Sequence, residues 1–575
     1  MRKSTATVLI ALLTSTGLAH AALAGPSQRP VAADSLEVNG ARQTLQTHHP
    51  RRLPPPALPG GPAADAQPAA IKPYSGPPID VTQYHYDALR TGWNQSETDL
   101  TPATVGSTKF KQLKTLTVDG NVFAQPLLVS GYVMPDSSTH DILIVATGHD
   151  SVYAFDALTY QPLWQVSLGT PQSTSDVGCG DVKPEYGISS TPVIVRSAPN
   201  AATLYVVAAT EPASFSFHTQ VHALDLGTGH DLVTPVEIDP SASLAGGGTI
   251  AFDPQNQWNR AGLAWSNGSL YVGIGSHCDN NAGGISGWLL RYDSNLSLEH
   301  AFNTIQAAAG YELASIWMTG FAPAINDAGK VFVVTGNGAF TKDAGGKDYG
   351  ESVLALSSRL TRVATSFTPY NYASLNDGDV DFGSGGVMLL PTVQGQQAPP
   401  LAVAIGKDAV LYLLDQDDLG GRKANDAGAL QHQRLGGSGG GTWGGPAYYG
   451  SPSGGLVYVQ IDSDVLRAFS VNTSATPSLT QAAAGTSHAG YGGSLPIVSS
   501  NGGAAGTGVA WLVKRGATEQ LEAYDAVNLG APLFAANAGT WSNPGQANSF
   551  VTPLEANGRV YVPAYKTVTV FGLTN

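Results

Sequence analysis

The sequence predicts an all-β fold: an eight-bladed β-propeller of four-stranded antiparallel blades, closed by an N-terminal strand. Three observations carry this expectation. Glycine is abundant, 68 of 575 residues, and only 13% of the chain is charged, which suits turn-rich sheets better than helices. A strand ending on a turn residue recurs at spacings of about 55 to 69 residues. The pattern ends in an incomplete unit at the C-terminus that an early strand can complete.

The first 24 residues have the order of a secretory signal peptide. Arg2 and Lys3 precede an apolar run from Val8 to Leu13, and Ala-x-Ala triplets follow at Ala19–Ala21 and Ala22–Ala24. The protein is therefore expected to be exported, periplasmic or secreted. Residues 25–79 are rich in Pro and Ala without apolar periodicity, which reads as a disordered linker; the propeller is expected over 80–575. No later stretch reaches about 18 uninterrupted apolar residues, so no membrane span is expected. The formal charge of −14 and the lack of a basic stripe argue against a nucleic-acid partner. Cys179 and Cys278 either pair in an oxidising compartment or stand as two buried thiols, and sequence leaves both open.

The repeating unit is clearest at 152–169, VYAFDALTYQPLWQVSLG. A strand ends on Asp156, whose carboxylate can accept from N–H groups two residues on, and a second strand carries Trp164. Degenerate copies end on Asp225, Asp293, Ser357, Asp415, Ser470 and Asp525. Most units open with a Pro-containing strand such as AQPLLVSG, followed by a second strand such as DILIVATG. A single sheet of this kind cannot bury both faces, and stacking sheets about an axis does so. Seven full units and a three-strand remnant at 549–573 follow, and FKQLKTLTV, residues 110–118, is expected to supply the missing outer strand. Trp164 is expected to pack between neighbouring sheets.

The pattern Ala154, Asp156, Thr159, Trp164 resembles the tryptophan-docking motif of the quinoprotein propellers, the PQQ-dependent alcohol dehydrogenases and their non-catalytic relatives. The resemblance spans roughly 105–573 and implies specific site residues. SIWMTGFAP supplies Trp317, matching the tryptophan that stacks under the quinone. VVTGNGAF supplies Asn337, matching a Ca²⁺ ligand. DVDFGSGGVMLL supplies Asp381 for the catalytic aspartate, and AIGKDAVLYLLD supplies Lys407 for the following basic residue. Two elements differ. Cys179-Gly180-Asp181 stands where the family has adjacent cysteines, and GIGSHCDNNAGG offers Asp279 where the family has a metal-binding Glu. No Cys-x-x-Cys-His run exists, so no covalent haem is expected.

The resemblance implies an oxidoreductase acting on an alcohol or sugar with PQQ and Ca²⁺, the electron acceptor being unreadable. Asn337, Asp381 and Asp279 would hold the ion through oxygen. Asp381 would take the substrate hydroxyl proton, Lys407 would stabilise the reduced quinone oxygen, and Trp317 would form a wall of the slot. Taken singly, each has a plainer reading: Asn337 as a turn, Trp317 as packing, Asp381 in an acidic loop, Lys407 as a solvated turn lysine. His277 reads as a hydrogen-bonded loop residue, and GGSGGGTWGG around Trp443 as a flexible connection. The two differences motivate an alternative: a non-catalytic propeller serving as an extracellular binding or assembly module for a polymer or protein.

Overall fold

The computed structural model describes residues 70–279, 284–306, 313–436, 440–541 and 550–575. The expected signal peptide and most of the expected linker lie outside them. The described chain is an eight-bladed β-propeller. Seven blades run in sequence order, over 127–167, 193–237, 264–303, 324–367, 387–434, 447–488 and 497–540. Each pairs its strands first to fourth as an antiparallel meander, and we number them blades 1 to 7. In blade 8, Leu554–Ala556 pairs with Arg559–Leu573, which pairs in turn with Phe110–Asn121. The early strand thus closes the ring onto the C-terminal one, from Phe110↔Leu573 to Thr117↔Thr567.

Central strands are apolar on both faces because each sheet lies between two others. Val331–Val334 and Val353–Leu356 of blade 4 are buried at every residue. The turn chemistry after the third strands is as the repeat implies. Asp156 Oδ1 accepts from Leu158 N and Thr159 N. Asp415 Oδ1 accepts from Asp417 N, and Asp525 Oδ1 accepts from Val527 N and Asn528 N. Blade 6 departs from the expectation: Ser470 lies inside the strand Val465–Asn472, and Asn472 supplies the turn acceptor, to Ser474 N. Trp164 is buried, donates from Nε1 to Leu226 O at 2.9 Å, and rests on Gly229 of the next blade's turn. Gly229 has φ +74°, and a Cβ there would overlap the indole.

An element the repeat does not announce is the segment 79–101. Its backbone bonds the first strands of blades 1, 2, 4, 5, 6 and 7: Val81 with Leu128, Thr82 O with Ile194 N, Ala88 O with Ile325 N, Leu89 O with Leu389 N, Thr91 O with Tyr448 N and Gly92 O with Val498 N. Arg90, fully buried and at φ +67°, holds its turns together by donating to the carbonyls of Pro323, Tyr84 and Asp87. Residues 70–79 also touch the propeller, through Lys72 N to Leu573 O and Ile79 N to Asn557 Oδ1. Cys179 and Cys278 form a disulfide joining the blade 1–2 connection to blade 3. Among the described residues no helix is long and apolar enough to cross a membrane.

Candidate functional site

In an antiparallel sheet the start of the first strand and the end of the second lie at the same end. Asp279, Asn337 and Lys407 each follow the second strand of blades 3, 4 and 5, while Trp317 and Asp381 precede the first strands of blades 4 and 5. The topology therefore delivers all five to one end of the ring. They line a single cavity of about 950 Å³.

The contacts are direct. Lys407 Nζ donates to Asp381 Oδ2 at 2.5 Å and to Asp379 Oδ1 at 3.3 Å, and lies 5.7 Å from the ring centres of both Trp317 and Trp443. Asp381 Oδ1 accepts from Asn337 N at 2.8 Å. Asn337 Nδ2 donates to Asp379 Oδ1 at 2.7 Å and to Asp279 Oδ2 at 3.3 Å. Asp279 also accepts from the Ser276 hydroxyl, which Ser315 Oγ reaches at 2.8 Å. Asp279, Asp379 and Asp381 can each bring a carboxylate oxygen within 4.8 Å of the others. Gly336 makes this crowding feasible, since a Cβ there would collide with the Asp381 carboxylate and press on Trp317 Nε1.

Electrostatics follow from burial. Desolvation, then the Asp381 charge, raises the Asp279 carboxyl to about 6. Desolvation disfavours the Lys407 charge, but Asp381 and then Asp379 outweigh it, so the ammonium is held above its usual range and stays protonated. Burial raises Asp181 at the cavity wall.

Several lining groups escaped the sequence reading. Asp379 sits two residues before Asp381 and shares its partners. Trp443, read as part of a flexible connection, faces the cavity, and Arg515 Nη2 fixes its carbonyl at 2.7 Å. Cys278 lines the wall beside Asp279. Arg260 is buried among Phe123, Trp258 and Phe550; its Nη1 donates to Ser189 O, and its Nη2 has no hydrogen-bond partner among the described residues. Burial lowers its guanidinium to about 10. The signal for Arg260 was one cation inside the apolar run WNRAGLAW of a charge-poor chain. His277 is not a hydrogen-bonded loop residue through its ring. The ring packs against Tyr186 and Trp258, both nitrogens lack hydrogen-bond partners among the described residues, and burial lowers it to about 3, so it stays neutral.

The donor set fits a hard cation: three carboxylates whose oxygens lie within 4.8 Å of one another, with the Asn337 side-chain amide against two of them. Asn337 Oδ1 is buried and without a hydrogen-bond partner among the described residues, although buried acceptors are ordinarily satisfied. The cavity also fits a flat anionic ring system, with indole faces for stacking and the Arg260 guanidinium for a carboxylate.

No protein-family model matches this chain, and no curated protein matches it. Solved structures do. The chain is similar to a quinohemoprotein alcohol dehydrogenase from Comamonas testosteroni, at 15% identity and TM-score 0.58, over 86% of this chain and 80% of that one. A second is quinohemoprotein alcohol dehydrogenase ADHIIG from Pseudomonas putida HK5, at 12% identity and TM-score 0.57, over 86% and 80%. A third is a europium-containing methanol dehydrogenase, at 13% identity and TM-score 0.55, over 85% and 90%. At these identities what is shared is the fold: the propeller is of the type those quinoprotein dehydrogenases have.

Proposed function

We propose that the protein is an exported quinoprotein-like oxidoreductase that oxidises an alcohol or a sugar, with PQQ as cofactor and Ca²⁺ at the carboxylate cluster. One observation carries this reading: Asp279, Trp317, Asn337, Asp381 and Lys407, picked from three blades by their order in the sequence, line one cavity. A non-catalytic binding module gives no reason for them to converge.

Asn337 Oδ1, Asp381 and Asp279 are the ligands we assign to the cation, with Asp379 joining them. Trp317 provides a stacking face, and Arg260 an anchor for one carboxylate of the cofactor. Bound there, PQQ would supply a hydride acceptor and the cation a Lewis acid. Asp381 receives the substrate hydroxyl proton. It is oriented for this by Asn337 N on one oxygen and Lys407 Nζ on the other. Lys407, held protonated by its two aspartates, lines the cavity with a positive charge that would stabilise negative charge developing on a bound acceptor. The indoles of Trp317 and Trp443, each centred 5.7 Å from Lys407 Nζ, limit water around it and strengthen that interaction.

The test is purified protein assayed with PQQ, Ca²⁺ and an artificial electron acceptor over a panel of alcohols and aldoses. We expect acceptor reduction that requires both PQQ and the cation. No PQQ binding in the presence of Ca²⁺ would remove the proposal.

A further inference from the structure

We propose that Glu351 is a positioning residue of this site, a brace between the two loops that carry Asn337 and Asp381. The inference rests on the reading above only for what the brace serves. The brace itself stands on geometry.

Glu351 lies at the entry to the third strand of blade 4, Val353–Leu356, and is fully buried. Its backbone N–H donates to Gly336 O at 2.9 Å, next to Asn337. Its side-chain Oε2 accepts from Phe382 N at 2.6 Å, next to Asp381. One residue thus ties the blade 4 loop to the loop entering blade 5. The same two loops also meet through Asn337 N to Asp381 Oδ1, Asn337 Nδ2 to Asp379 Oδ1, Gly338 N to Asn376 Oδ1 and Gly383 packed on Gly336. Glu351 adds to these a fully buried tie that holds Phe382 N beside Asp381 and Gly336 O beside Asn337.

Three features make a purely structural carboxyl here poor economy of design. The following strand is wholly apolar, so a carboxyl is out of keeping with its surroundings. Its Oε1 has no hydrogen-bond partner among the described residues, which destabilises a buried group. The residue also sits at φ +50°, a conformation glycine adopts with less strain. Such costs, concentrated at one residue, are typical of functional sites. Burial, then the Asp381 charge, raises the Glu351 carboxyl well above its usual range.

The test compares wild type with Glu351→Ala and Glu351→Gln, by crystal structures of the cation-free proteins and by titration with Ca²⁺. Glu351→Met, which fills the space without an oxygen acceptor, replaces the alanine variant should that fail to fold. Glu351→Gln keeps an oxygen acceptor for Phe382 N. We expect it to preserve the Asn337 N to Asp381 Oδ1 contact and to bind Ca²⁺ within about threefold of wild type. In Glu351→Ala or Glu351→Met we expect that contact to open beyond hydrogen-bonding range and Ca²⁺ affinity to fall at least about tenfold, with the melting cooperativity retained. An unchanged contact in these variants would overturn the proposal, as would an opened contact with unchanged Ca²⁺ affinity. If the contact opens but wild type binds no Ca²⁺, the brace stands and the cation site falls.

Discussion

Two clusters of acids sit in this ring, one buried and one at the cavity wall, and they are built differently. At the junction of the segment 79–101 with blade 8, Glu97 accepts from Asp99 N, Leu100 N and Gly558 N, and Glu555 accepts from Asn94 Nδ2 at 2.7 Å. Glu97 is used by the chain itself through backbone donors, while Glu555 Oε1 has no hydrogen-bond partner among the described residues. In the cavity, Asp279, Asp379 and Asp381 share one lysine and one asparagine, whose Nδ2 donates to Asp279 and Asp379. The first arrangement locks an N-terminal segment to the last blade. The second gathers three carboxylates at a cavity wall and leaves Asp379 open to solvent. Acidity alone does not separate the two; exposure and the share of backbone donors do.

Mutation should split the clusters cleanly. Asp381→Asn keeps the shape and the Asn337 contact but removes the proton acceptor. We expect kcat to drop by about 10²- to 10⁴-fold in the dye-linked assay, with the melting temperature little changed. Glu97→Ala should do the opposite. It strands three backbone donors in the interior, and we expect a loss on the order of 3 kcal/mol in urea unfolding, with the cavity chemistry intact in the folded fraction. Equal effects of both variants on stability would erase the distinction.

A smaller, pH-dependent effect sharpens it. Burial, then Glu97, pushes the Glu555 carboxyl well above its usual range. A raised acid stabilises the fold fully below its unfolded value, about 4.3, and that contribution is lost as pH rises through the folded value. Stability should therefore decline with a slope of up to about 1.4 kcal/mol per pH unit from this one proton. Glu555→Gln should flatten that slope. Denaturant midpoints at a series of pH values from 5 to 8 check it, and parallel curves for wild type and variant would refute it.

The sequence carried the repeat because its turns are local chemistry: an Asp that caps its own turn is visible within four residues. Closure by residues 110–118 was visible for a related reason, since a missing outer strand needs a matching one elsewhere. The segment 79–101 was not legible. Its partners are backbone groups of strands up to hundreds of residues away, and backbone bonding leaves no side-chain pattern. Within the site, Trp317, Asn337, Asp381 and Lys407 were found by their order, and Asp279 by its place after a second strand. Asp379 was hidden in NDGDVDFG, where neighbouring aspartates look alike until the backbone turns, at φ +52° on Asp379 itself. Trp443 was masked by its glycines. The Cys179–Cys278 bond spans 99 residues and is brought together only by the packing of successive blades.

The central claim is that one cavity holds a cation on oxygen ligands from blades 3 to 5. A crystal structure grown with PQQ and Ca²⁺ tests it most directly. The account expects the ion at about 2.3–2.6 Å from Asn337 Oδ1 and from carboxylate oxygens of the Asp279, Asp379 and Asp381 cluster, with the quinone against Trp317. A cavity that stays empty under those conditions, or an ion bound away from Asn337, would contradict it.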